Sequence, residues 1–242
     1  METPFRDKVE TAEVAKMPAE YQDLLKRVLT IQADCEIGGP HLYLENILPA
    51  LESRLDRLLV VRTAAEEVDH FRQIARLAGD LGADVSFLLS RPNRERYVDA
   101  FRGAIRNWEE FAIFGFLIDR VGRYQLEEFV GCSYAPLDRI LPQIVTEEAG
   151  HIEYGQNLTA EFAARGGQAK EKIQQALDVW YPKALDMFGS DSSRRSERYR
   201  HWGLKRRTNK QAREEYIREV NPLIEAMGLS VPDPNRGRKF AN

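Results

Sequence analysis

Two short stretches, Glu66-Glu67-Val-Asp-His70 and Glu147-Glu148-Ala-Gly-His151, repeat one pattern in a chain of 242 residues. The chain has only four histidines, and two of them stand in this pattern, each three residues after a glutamate that itself follows a glutamate. On a helix, positions three apart share a face, so Glu67 with His70, and Glu148 with His151, can each reach a single point. One such pair is ordinary on a solvated helix. A second copy 81 residues further on is the repeat of a site, and it asks for two helices held face to face.

The rest of the chain reads as helix. Alanine, leucine, glutamate and arginine dominate, and apolar residues recur at three- and four-residue spacing rather than alternating. Helices are expected over 18–37, 53–81, 94–130, 135–165, 168–187 and 208–227. Between them fall the breakers Gly38-Gly39-Pro40, Pro49, Gly82, Pro92, Gly131 to Pro136, Gly166-Gly167 and Gly189 to Ser193. The expected fold is all-α: a four-helix bundle over about 18–165 with additional C-terminal helices over about 168–242, all in one domain. The content, 43% hydrophobic and 30% charged, is that of a globular chain, and the formal charge of −3 gives no global pull toward nucleic acid or an anionic membrane. The apolar run Phe111–Ile118 is too short to span a bilayer, and the start METPFRDKVETAEV lacks the features of a signal peptide. Cys35 and Cys132 make no disulfide framework. A cytoplasmic location is expected.

Two glutamate–histidine pairs on different helices, joined by one carboxylate from each remaining helix, form the ligand set of ferritin-like dinuclear carboxylate proteins. Four carboxylates balance two divalent cations, and imidazole suits iron. Glu36 lies 31 residues before Glu67, and Asp119 lies 29 before Glu148. The midpoint of each interval falls on a breaker segment, so each acid can sit opposite its partner at one depth. The third helix also carries Glu109, Glu110, Glu127 and Glu128. Glu127 would stand roughly 12 Å along the axis from Asp119, so only one of them can reach the metals. Asp119 follows the apolar run, where an unpaired charge is costly, and is the expected ligand.

The arrangement resembles the catalytic subunit of the phenylacetyl-CoA epoxidase family, multicomponent di-iron monooxygenases. The resemblance reaches past the ligands and covers roughly residue 20 to the end. It is carried by CSYAP at 132–136, EEAGH at 147–151, WYPKALDMFG at 180–189, LKRRTN at 204–209 and AMGLSVPDP at 226–234. The tail stretches are not metal motifs, and the aspartate on the third helix also matches this family and its benzoyl-CoA relatives. The chain departs from the family in a shorter N-terminus and in Gly38-Gly39-Pro40 just after Glu36. The resemblance implies two iron ions, with a mixed manganese–iron pair as the alternative, held by Glu36, Glu67, His70, Asp119, Glu148 and His151. It further implies O₂, electrons from a separate reductase, and insertion of one oxygen atom into the ring of an aryl-CoA thioester, giving an epoxide. The implied partners are that thioester substrate, the reductase, and a non-catalytic ferritin-like subunit or further copies of the chain in a homo-oligomer.

Glu66 and Glu147 are expected to orient the histidines through their outer ring nitrogens, with solvent exposure as the alternative. Ile113, Phe114, Phe116 and Leu117 are candidates for the wall of the arene pocket, with plain bundle core as the other reading. Cys35, His41, His201 and Tyr154 read as packing or locally bonded residues. The segment 194–213, RRSERYRHWGLKRRTNKQAR, holds nine Arg or Lys against one Glu. Within it, Lys205, Arg206 and Arg207 are candidates for CoA phosphate contacts, a subunit-facing extension is the plainer reading, and RNA is the third. Two other classes therefore stand beside the CoA oxygenase: a di-iron tRNA hydroxylase and a non-catalytic ferritin-like metal binder.

Overall fold

Side-chain caps open several of the helices. Ser53 accepts from the Asp56 amide and opens α3 (Arg54–Asp80), after α1 (Thr11–Val14) and α2 (Ala19–Leu42). Asn107 accepts from the Glu110 amide at 2.8 Å and opens α4 (Trp108–Ile113). A π-helical turn, Phe114–Asp119, joins α4 to α5 (Arg120–Phe129). Then come α6 (Ala135–Arg165), α7 (Gly167–Asp186), α8 (Arg194–His201) and α9 (Asn209–Ala226), the last opened by a Thr208–Gln211 capping box. Gly166, at φ +68°, separates α6 from α7. This computed structural model describes residues 4–240; among them, no helix is long and apolar enough to cross a membrane.

Two apolar cores lie at opposite ends of the bundle. One takes Tyr21–Ile37 of α2, Phe71–Ala78 of α3, Leu126 and Phe129 of α5, and Leu137–Ile144 of α6. The other takes Leu42 onward, Val60 and Ala64 of α3, Phe111–Tyr124, and Leu158–Ala163 of α6. This order gives the helix directions: α2 and α6 run one way, and α3 and α4–α5 run the other. Within each hairpin the helices are antiparallel, and residues 81–107 cross from one end of the bundle to the other. That is the ferritin-like connection, two hairpins and one long crossover. The second core also takes Trp180, Tyr181, Tyr216, Val220 and Ile224, so α7 and α9 are packed onto the bundle.

Three expectations change. Residues 94–107 are not helix; they lie in the crossover, whose regular turns are Ser86–Ser90, Asn93–Glu95 and Asp99–Arg102. A crossover must travel the length of the bundle, and near-extended chain covers about twice the distance per residue that helix does. Arg96 is wholly buried here, bound to Asp34 at 2.8 Å and to the Leu88 carbonyl at 3.1 Å, with Nδ1 of His41 at 2.6 Å from its guanidinium. Gly38-Gly39-Pro40 does not break α2, which continues to Leu42 before a π-helical turn at Tyr43–Ile47. The two glycines serve close packing instead. A Cβ on Gly38 would lie 2.9 Å from the Phe101 ring, and one on Gly39 would lie 2.9 Å from the Tyr43 hydroxyl. The charged stretch after residue 193, which lies outside the expected helices, begins as one, α8.

Candidate metal centre

Between the two cores lies a polar layer, and every residue expected to hold metal is in it. Glu36 comes from α2, Glu67 and His70 from α3, Asp119 from the end of the π turn, and Glu148 and His151 from α6. Ligand atoms of Glu36, Glu67, His70 and Glu148 all lie within 4.8 Å of one another, and all four side chains are buried. Nδ1 of His151 stands 3.3 Å from Glu67 and 3.9 Å from Glu148. Asp119 lines the same small cavity as Glu36, Glu67 and Glu148, and accepts from the Tyr43 hydroxyl at 3.5 Å.

The register of Asp119 comes from a glycine contact. Gly155, one turn after His151, faces Gly115, one turn before Asp119. A Cβ on Gly155 would lie 2.5 Å from the Gly115 carbonyl carbon and the Phe116 nitrogen. With no side chain on either helix, the backbones close up and bring Asp119 to the depth of His151. From the other side, Tyr216 of α9 donates to the Leu117 carbonyl at 3.1 Å, inside the π turn. The other acids of this strand of helix are occupied elsewhere: Glu109 with Lys172, Glu110 with the Arg106 amide, Glu127 with Arg123, and Glu128 with Arg207.

Glu66 and Glu147 each reach the histidine of the other motif. Nε2 of His70 is 2.7 Å from Glu147, and Nε2 of His151 is 2.8 Å from Glu66. Burial raises the pKa of both glutamates, but Arg62 and His151 outweigh it for Glu66, and Gln143 and His70 for Glu147. Both stay below the usual carboxylate value and are acceptors, so Nε2 donates in each pair and Nδ1 turns inward. Neither Nδ1 atom has a hydrogen-bond partner, although both are buried.

Electrostatics point the same way. Burial, then the charges of Glu148, Glu36 and Asp119, push Glu67 well above the normal carboxylate range. Burial, then Glu148, does the same to Asp119. Burial disfavours a charged His70, but Glu148, Glu36 and Glu67 outweigh it and push that imidazole up to about 12. Glu67 and Asp119 hold protons in this layer unless cations replace them. Two inward imidazole nitrogens without partners, facing four carboxylates, are the donor set that a pair of divalent or trivalent metal ions needs. The residues fit the group.

A second cavity, of about 410 Å³, opens beside the carboxylate pocket, and Gln32, Gln125 and Met187 line both. Its walls carry Arg27, Arg102, Lys183, Arg195, Lys205 and Lys239 against only Asp99 and Asp186. Of the three cations expected to meet phosphate, only Lys205 reaches this cleft. Arg207 is ion-paired with Glu128 and Glu215, and Arg206 donates to the Glu127 carbonyl. Other charges of the same segment have partners within the chain as well: Arg198 pairs with Glu20, and Arg213 with Asp191. The four apolar residues considered for the arene wall, Ile113, Phe114, Phe116 and Leu117, line neither cavity. They are buried in the bundle core. The cavity around the carboxylates is lined instead by Phe101, Ile118, Gly122, Leu126 and Met187. Sequence reasoning passed over Gln32 and Gly122, although each stands one helical turn from an expected ligand, Glu36 and Asp119. Cys35 also lines the pocket, and Tyr154 donates to Asp56 while packing against Trp108 and Phe111.

The chain matches the model of the family described as phenylacetic acid catabolic protein over residues 1–240. It is 27% identical over 224 residues to the A subunit of 1,2-phenylacetyl-CoA epoxidase from Escherichia coli (strain K12), covering 90% of this chain and 72% of that protein. It is 26% identical over 220 residues to benzoyl-CoA oxygenase component B from Aromatoleum evansii, covering 79% of this chain and 46% of that protein. Both relatives are named as oxygen-transferring enzymes of aryl-CoA thioesters, and each as one part of a larger assembly.

Proposed function

Because the chain belongs to the phenylacetic acid catabolic protein family, we propose that it is the oxygenase subunit of a multicomponent monooxygenase that acts on the ring of an aryl-CoA thioester such as phenylacetyl-CoA. The observation that carries this reading is the cationic cleft that meets the carboxylate pocket at a shared neck. A CoA ester has a polyanionic handle at one end and its reacting group at the other. The cleft suits the first, the pocket the second, and binding energy gained on the handle can hold the ring in place.

Glu36, Glu67, His70, Asp119, Glu148 and His151 would hold two iron ions, the manganese–iron pair being the alternative. When bound, the metals supply the reduction of O₂, with electrons from a separate reductase, that makes an arene oxidisable. The protein's own residues do the rest. Glu66 and Glu147 keep the imidazole protons on Nε2, so that Nδ1 remains a donor toward the centre. Phe101, Ile118 and Leu126 make one side of the pocket apolar, which suits a ring better than a charged group. The names of the two relatives, one a subunit and the other a component, support a partner subunit for this chain too.

The test is binding of the handle. Phenylacetyl-CoA should bind the chain, and phenylacetate should not. Replacing Lys183, Arg195 and Lys205 by Gln should weaken the ester's affinity by an order of magnitude or more and flatten its salt dependence. Equal affinity for ester and free acid would sink the reading.

A further inference from the structure

The neck between cleft and pocket carries an assignment of its own, which rests on the aryl-CoA reading. The pocket offers only about 30 Å³, room for a water molecule or two and not for an aromatic ring. Something at the neck must move. Gln32 donates to Glu36 at 2.5 Å, and Gln125 donates to the Met187 carbonyl at 3.1 Å, so both amides are anchored. The third member, the Met187 side chain, is an unbranched thioether with three rotatable bonds, and it is only partly buried. Swinging it aside joins the pocket to the cleft.

Deeper in, Gly122 lines the pocket one turn after Asp119. It lies inside the continuous helix that runs from the π turn into α5, where alanine is the more stabilising residue. A Cβ there would meet nothing within 4 Å, unlike one on Gly115 or Gly155. Gly79 and Gly150 also stand in open space, but at the exposed surface rather than on a cavity. So Gly122 gives up helix stability without relieving any clash. What it leaves is open space on the wall of the pocket that Asp119 also lines.

We propose that Gly122 and Met187 together select the acyl group. The ring seats against Gly122, Met187 is a movable stop behind it, and the thioester lies at the level of Gln32 and Gln125. The cleft then sets affinity for the CoA handle, and these two residues set which acyl chain follows it in. Neither carries a charge, so their effect falls on discrimination between esters.

Calorimetric titration of the full-length chain with CoA, acetyl-CoA and phenylacetyl-CoA tests this, alongside thermal melts. Gly122→Ala should melt no lower than the unaltered protein and bind CoA and acetyl-CoA as before. Its affinity for phenylacetyl-CoA should fall by about tenfold, the order expected when one carbon is added to an apolar pocket. Met187→Ala should do the reverse and strengthen binding of the bulkier naphthylacetyl-CoA relative to CoA. Unchanged phenylacetyl-CoA affinity in Gly122→Ala overturns the proposal, and so does an equal loss for all three ligands. If the unaltered protein binds CoA and both esters with no preference for the aryl group, the selector is wrong while the cleft reading stands. If it binds none of them, the aryl-CoA reading itself falls, and the selector with it.

Discussion

At the scale of single residues, the crossed pairs decide how the centre is built. Glu147 serves the histidine of the first motif and Glu66 that of the second, so neither motif is complete without the other. Replacing either glutamate by Ala should weaken metal retention by roughly ten- to a hundredfold without unfolding the chain, read by competition with a chelator. Unchanged retention in both variants would return these carboxylates to the solvent. The raised groups give a second prediction. Glu67, Asp119 and His70 all sit above their ordinary values of 4.5, 3.8 and 6.5. A raised folded-state pKa contributes stability that is full below the unfolded value and fades as pH climbs to the folded one. The metal-free protein should therefore lose stability as pH rises from about 5 to 8, through these groups. Metal displaces the protons, so the gain in Tm on adding ferrous iron under anaerobic conditions should grow over the same range. A gain that shrinks with pH would contradict the assignment.

At the scale of elements, the unusual turns position the acid that spacing alone could least secure. The π turn Phe114–Asp119 is held by Tyr216 from α9 and pressed against α6 by the Gly115–Gly155 contact. Gly155→Ala should destabilise the fold by about 1–3 kcal/mol or more, because backbone rather than a flexible side chain stands in the way. The same change should lower metal content, since it pushes Asp119 away from His151. A variant with full metal content and an unchanged melt would mean that the contact sets nothing. These elements also show what the sequence could carry. Spans such as 135–165 were legible because Pro136 and Gly166 mark their ends and the apolar period runs between them. The placing of Glu36, Glu67, His70, Asp119, Glu148 and His151 in one layer was legible from helical spacing and hairpin symmetry. The crossover was not, because 94–107 has helix-like composition and its shape depends on burying Arg96 against Asp34. Nor were the π turns, which answer to tertiary partners such as Tyr216. The cationic cleft was half legible. Lys205 could be named from the basic run, but Lys183 and Arg102 join it only through folding.

At the scale of the whole molecule, a layer of charge divides one bundle into two apolar cores, and α7 and α9 pack against the α4–α5 helix that carries Asp119. That plan shields the carboxylates from bulk solvent on most sides and leaves the neck beside Met187 facing the cleft. In the proposed function, oxygen activated in the layer is passed to the ring of an ester held in the cleft. The most direct measurement is isotope transfer: the iron-loaded chain, supplied with reductase, partner subunit, reductant and ¹⁸O₂, is given phenylacetyl-CoA or phenylacetate, and the products are weighed by mass spectrometry. One ¹⁸O atom is expected in the ring of the thioester product, and none in the free acid. Reductant-driven oxygen consumption that leaves the thioester unlabelled, or labels transfer RNA instead, would contradict it.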